Sequence, residues 1–150
     1  MPSPDTNDPY PLQRFVEAQE STYEAARAEL SAGSKRGHWI WFIFPQLKSL
    51  GTSAMSQEFG ISSMDEAKAY IRHPTLGPRL RECTQLVLNL EGRSVDEIFG
   101  YPDKLKFRSC MTLFAKSTAD NQIFKDALAK HFDGEGDPLT MERLGRQVLF

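Results

Sequence analysis

The chain is 150 residues long, the length of one domain, and can bury roughly two-thirds of its unfolded surface in a single core. Its 18 Lys and Arg against 20 Asp and Glu exclude the basic footprint of a general nucleic-acid binder and a polybasic membrane anchor, so any anion site must be local. Two cysteines, Cys83 and Cys110, and no basic-apolar-small pattern after Met1 argue for reduced thiols in a cytoplasmic protein.

The polar, Pro-rich start predicts a flexible segment over residues 1–11, with a single helical domain over 12–150. Leu12, Phe15, Val16, Gln19, Tyr23, Ala26 and Leu30 recur at spacings of three and four, which predicts one helix from about 12 to 31, stopped by Gly33. Lys35-Arg36-Gly37 then leads into His38-Trp39-Ile40-Trp41-Phe42-Ile43-Phe44-Pro45-Gln46. Read as a helix this stretch is apolar all round, and read as a strand it is apolar on both faces, so it belongs at the centre of the core. It is far shorter than the roughly 20 residues of a membrane span.

Pro45 permits one more turn through Leu50. The small, hydroxyl-rich stretch Thr52–Gly60 shows neither period and is predicted as a loop. Ser63 with Glu66 is a capping-box pair that opens a helix ended by His73-Pro74. Thr75 restarts the chain, and Leu76, Leu80, Cys83, Leu86, Val87 and Leu90 form the buried stripe of the next helix. Ser94 with Glu97 opens a single turn closed by Gly100. Asp103 is read as the N-cap of a helix to about Ala115, another helix spans about 119–132, and Asp137-Pro138 caps a last short helix through Leu144. No strict alternation and no repeat occurs, so the expected fold is all-α, one compact domain of about seven or eight helices packed around the aromatic segment.

Arg14-Phe15 with Ala18-Gln19, the motif His38–Gln46, Leu50-Gly51-Thr52-Ser53, Leu76-Gly77-Pro78-Arg79-Leu80, and Pro102–Lys106 with Ser109–Phe114 together resemble a small bacterial family of uncharacterised helical proteins, often labelled calpastatin. The likeness spans roughly residues 12–144 and implies a compact all-helical fold without implying an activity. Inhibitors of the calpastatin type are disordered, which this core-forming chain does not match. Asp65–Tyr70 followed by Leu76–Arg79 is also similar to a short stretch of the YbiA-like N-glycosidases, which act on ribose-linked bases or ADP-ribose adducts. That second likeness suggests a class of ligand.

Several polar residues are candidates for a site. His38 is read either as a general acid or base at the edge of the aromatic core or as a ring that closes a helix end. Trp39 and Trp41 are read as core residues or as stacking surfaces for a planar ring. The Gln46 amide, which donates and accepts together, is read as a pocket group or as a partner for backbone freed by Pro45. Ser53 lies in a loop that lacks both the Walker and the GxGxxG patterns. Lys104 and Arg108 share a face at a helix start, where the macrodipole disfavours cations; this points either to a bound anion or to a solvated basic pair with Asp103 as compensator. Arg79 repeats the pattern in its own first turn. His38, His73 and His131 lie far apart, no metal-ligand spacing occurs, and neither metal nor cofactor is expected.

Three functions remain open at this stage. The first is a binding protein for a small anionic or nucleotide-like ligand; the second is a hydrolase or N-glycosidase using His38 or Asp103; the third is a protein-interaction scaffold.

Overall fold

Ten α-helices form among residues 10–148, the part of the chain this computed structural model describes, and their buried apolar side chains join in one cluster that includes the aromatic segment. They are α1 (Gln13–Glu20), α2 (Tyr23–Ala32), α3 (Ile40–Ile43), α4 (Ala54–Phe59), α5 (Met64–Arg72), α6 (Leu76–Asn89), α7 (Val95–Ile98), α8 (Asp103–Ser117), α9 (Gln122–Phe132) and α10 (Pro138–Val148). The fold is all-α and a single domain. Residues 1–9 of the segment expected to be flexible lie outside the described residues, as do 149–150.

Where the helices depart from the sequence expectation, a local hydrogen bond gives the reason. The helix expected over 12–31 is two helices, because the Thr22 hydroxyl donates to the Ala18 carbonyl at 2.8 Å and bends the chain between them. The stretch 52–60 is not a loop: the Ser53 hydroxyl accepts from Ser56 N at 3.1 Å and caps α4, a helix too short to show a period. Asp103 is not the N-cap of α8. Pro102 holds that position, and Asp103 is the first helical residue. The helix expected from 119 starts at Gln122, since the Asn121 side chain turns back to the Ala115 carbonyl at 2.7 Å. The last helix runs to Val148, opened as expected by Asp137, whose carboxylate accepts from Thr140 N at 2.9 Å.

The two capping boxes differ. Ser94 and Glu97 cap reciprocally, at 2.9 and 3.2 Å. Ser63 accepts from Glu66 N at 3.2 Å, but the Glu66 carboxylate turns instead to Ser62 N at 2.7 Å and to Arg14 at 3.0 Å. Arg14 in turn donates to the carbonyls of Glu58 and Gly60 at 2.7 and 2.9 Å, so one guanidinium ties α1, the end of α4 and the start of α5 together.

Trp39, Phe44 and Leu47 are almost fully buried, and Phe44 packs edge-on against Phe107 and Phe99 at centroid distances of 4.9 and 5.9 Å. On the other side Phe42 meets Phe59 at 4.7 Å, and a further aromatic row runs from Phe15 through Tyr70 to Phe114 at 5.1 and 5.5 Å. A buried segment that is helical for one turn only needs partners for its remaining polar backbone groups. Gln19 donates its amide to the Phe42 carbonyl at 2.8 Å. Gln46 O accepts from Ile61 N, and Lys48 N donates to Ile61 O, both at 2.8 Å, making the parallel Leu47–Ile61 bridge. Gly60 is required there, because a Cβ on it would stand 2.3 Å from the Lys48 Cα. The lead-in is held by Glu29 of α2, whose carboxylate accepts from Arg36 N, Gly37 N and the Trp39 indole at 2.7, 2.9 and 2.9 Å.

Trp39→Ala should cost about 3–5 kcal/mol in a denaturant melt, the range for deleting a large buried aromatic; a loss below about 1 kcal/mol would show that the segment does not carry the core.

Burial alone would raise the Glu29 carboxyl, but the hydrogen bonds from Gly37, Arg36 and Trp39 and the nearby Lys35 charge outweigh it and hold the group below the usual carboxylate range. A depressed folded-state pKa stabilises above the unfolded value and loses that contribution as pH falls through the folded one. Glu29→Gln should therefore lower stability by about 1–3 kcal/mol at neutral pH and converge on the parent below the ordinary glutamate range of about 4.3. Melting curves of both proteins across this range test it, and a gap that stays constant into acid would refute the charged role.

Candidate functional site

The Trp39–Leu47 segment reaches the surface at its C-terminal end, where a cleft of about 440 Å³ opens between the 46–53 stretch, the start of α8 and the start of α10. Trp41 and Gln46 lie on its inner side, Ser53 and Lys106 on its walls, and Asp137 and Leu139 across from them. A smaller recess of about 230 Å³ adjoins it. That recess shares Trp41, Ser53 and Lys106 and adds Lys35, His38 and Asp103.

The polar groups here are arranged by the first turn of α8. Asp103 receives Lys35 Nζ at 2.6 Å on one carboxylate oxygen and Lys106 Nζ at 3.4 Å on the other. The Lys35 side chain is only 5 % exposed; its ammonium also donates to the Gly37 carbonyl at 2.5 Å and stands 5.0 Å from the Trp39 ring centre. This buried pair fastens α8 to the lead-in of the aromatic segment and leaves Lys106 directed to the rim, 5.9 Å from the Trp41 ring centre. Asp137 spends one oxygen on capping α10 through Thr140. Gln46 is 5 % exposed, and its side-chain amide makes no hydrogen bond to the described residues, although it lines the cleft.

The residues expected from sequence are distributed unevenly. Gln46 and Ser53 meet in the cleft, with Trp41 beside them, while His38, which is exposed, and Asp103 lie in the adjoining recess. The other candidates lie elsewhere. Trp39 is buried against Glu29, and Arg79 reaches Gln19 at 3.2 Å while lying 4.5 Å over the Tyr23 ring. Lys104 pairs with Asp96 at 2.5 Å, and Arg108 donates to the Glu135 carbonyl at 3.0 Å with its carboxylate at 3.8 Å. Asp96 and Glu135 thus supply the negative charge that these two cations need at a helix start. Sequence reasoning missed Lys106 and Lys35. The signal for Lys106 was present in its spacing of three from Asp103; Lys35 is joined to Asp103 only by the tertiary fold.

The remaining titratable groups do not assemble a second reactive centre. His73 Nδ1 accepts from Thr75 N and Leu76 N at 3.1 and 3.2 Å and closes the turn into α6. His131 is half-buried, its Nε2 has no partner among the described residues, and burial together with Lys130 holds its pKa below the ordinary value. No group of three or more His, Cys, Asp or Glu able to hold a metal ion occurs among the described residues. Both cysteines are free and fully buried; burial pushes the Cys83 thiol up to about 12 and the Cys110 thiol well above its usual range. Neither is a ready nucleophile at neutral pH. A thiol reagent should label Cys83 and Cys110 only after denaturant is added, and rapid labelling of the native protein at either position would overturn their assignment to the core.

Comparison with known proteins adds the family. The model of a family described as "Protein of unknown function (DUF1810)" matches residues 9–144. A crystal structure of a conserved hypothetical protein from Mycobacterium tuberculosis is 54% identical, with a TM-score of 0.91, and the match covers 92% of this chain and 99% of that one. No curated protein matches. Among the described residues no helix is long and apolar enough to cross a membrane.

Proposed function

The chain belongs to the DUF1810 family of unknown function, and we propose that it binds a small anionic, nucleotide-like ligand in the cleft between Gln46 and Lys106. The observation that carries this reading is the Gln46 amide. The amide lines the cleft and has no side-chain hydrogen bond to the described residues, so a ligand can complete its hydrogen bonds in place of water. A Gln amide presents a donor beside an acceptor, the pattern of a nucleobase edge or a carboxamide. Trp41 supplies an adjacent aromatic surface, and Lys106, held by Asp103, supplies positive charge at the rim. The two lysines of the cleft and its recess are balanced by Asp103 and Asp137, which favours a ligand with a single small anionic group, such as a nucleoside monophosphate.

A hydrolytic or N-glycosidic reaction is the second reading. What favours it is that His38 and Asp103 line one recess, which shares Trp41, Ser53 and Lys106 with the cleft and so sets an imidazole and a carboxylate beside the ligand site.

The test is a thermal-shift and calorimetric panel of nucleosides, nucleoside monophosphates and ADP-ribose, with the products of each incubation separated by chromatography. A ligand present at about 100 times its Kd stabilises by about 2.7 kcal/mol. Gln46→Leu should abolish that shift while leaving the free protein folded with about the parent's stability, since the substitution keeps a similar volume and breaks no hydrogen bond of the amide to the described residues. Product that disappears in His38→Ala would establish the enzymatic reading. A parent that responds to no member of the panel would remove the ligand site and leave an interaction scaffold as the better account.

A further inference from the structure

A second feature lies outside this cleft and shares no lining residue with it. Two recesses, of about 720 and 280 Å³, meet along Ala115, Lys116 and Asn121, where the end of α8 passes the start of α9. Lys68 and Arg72 of α5 line the larger and Lys125 of α9 lines the smaller, with Lys116 common to both. Among the described residues no acidic side chain lines either recess. None of these four cations has an ion pair or a side-chain hydrogen bond among the described residues, whereas most others in the chain, from Arg14 with Glu66 to Arg108 with Glu135, are paired with a carboxylate.

Local helix electrostatics accounts for half of the group. Arg72 and Lys116 sit in the last turns of their helices, where the carbonyl ends favour cations. Lys68 and Lys125 have no such reason. Lys68 stands four residues before Arg72 on one helix face, a spacing at which like charges repel, and Lys125 lies near the N-terminus of α9, where the dipole opposes a cation. In a chain of net charge −2, four cations without a carboxylate partner along one trough form a local positive field that attracts an anion.

The shape and lining select the anion. At about 720 and 280 Å³ the two adjoining recesses offer more room than one phosphate group fills. No aromatic side chain among the described residues lines either of them to stack a nucleobase, which disfavours a single-stranded nucleic acid. We propose that the trough lined by Lys68, Arg72, Lys116 and Lys125 binds a polyphosphate chain, either inorganic or the phosphate tail of a nucleotide.

The experiment is calorimetric titration of the full chain with sodium tripolyphosphate, with orthophosphate as control at matched ionic strength, because general screening otherwise imitates binding. Tripolyphosphate should bind the parent, and the Lys68→Gln/Lys116→Gln/Lys125→Gln variant should bind it about tenfold or more weakly, a difference of about 1.4 kcal/mol or more. ATP should bind as tripolyphosphate does. Gln46→Leu should leave tripolyphosphate binding unchanged, which separates this trough from the cleft whatever the fate of the ligand proposed there. The proposal is overturned if orthophosphate binds as well as tripolyphosphate, if the triple variant, shown to be folded by its melting curve, retains full affinity, or if Gln46→Leu removes the binding.

Discussion

The fold turns on one constraint: a strongly apolar stretch has to be buried without being long enough to satisfy its own backbone. A single helical turn, Ile40–Ile43, pairs only a few of its amides internally, and Pro45 then ends the helix. In a low-dielectric interior each remaining N–H or C=O needs a partner. The chain supplies these from separate elements, with Gln19 on the Phe42 carbonyl, Ile61 on both sides of Leu47, and Glu29 on the lead-in amides and the Trp39 indole. Each partner fixes the helix it comes from. The aromatic segment therefore sets where α1, α2 and the stretch after α4 lie, beyond supplying apolar area to them.

The same constraint places the cleft. Backbone pairing of the segment finishes at the Leu47–Ile61 bridge, and Gln46, one residue before it, has its main chain engaged while its side chain has no partner among the described residues. Across from it the start of α8 is fixed by Asp103 on Lys35, an ion pair whose lysine side chain is nearly as buried as the core. Breaking such a pair from one side strands a charge and typically costs about 3–5 kcal/mol. Both walls of the cleft are thus anchored to the aromatic segment. A site carried on rigid, over-determined walls orients its few polar groups with little entropic cost on binding.

What the sequence made legible follows from where the physics is local. The apolar period gave the long helices, Ser94 with Glu97 gave a complete capping box, and the aromatic density of residues 39–44 gave the centre of the core. Misreadings arose where a side chain had two possible partners. Glu66 pairs with Ser62 and Arg14 rather than returning to Ser63, Thr22 takes a carbonyl that would have continued a helix, and Asn121 turns backward to Ala115. The reading of Lys104 and Arg108 located an electrostatic conflict in the right place, at the start of α8. Spacing alone did not reveal that Asp96 and Glu135 resolve it from other parts of the chain. Lys35 and Asp103 are far apart in sequence, so no window-based argument could join them.

A net charge near zero also conceals how charge is arranged. In the cleft, Lys35 and Lys106 are balanced by Asp103 and Asp137; in the trough at the end of α8, the lysines and Arg72 have no balancing carboxylate in the lining. The two arrangements differ in what they ask of a solute. A compensated pair positions its groups and discriminates by geometry, while an uncompensated row attracts by field and discriminates by number of charges. Foldable sequences generally agree with their structure at every level, and departures persist where something other than stability maintains them. A cleft-lining amide without a side-chain partner among the described residues and cations without a carboxylate along another recess are features of different kinds, one of hydrogen bonding and one of charge. Repacking the core removes neither.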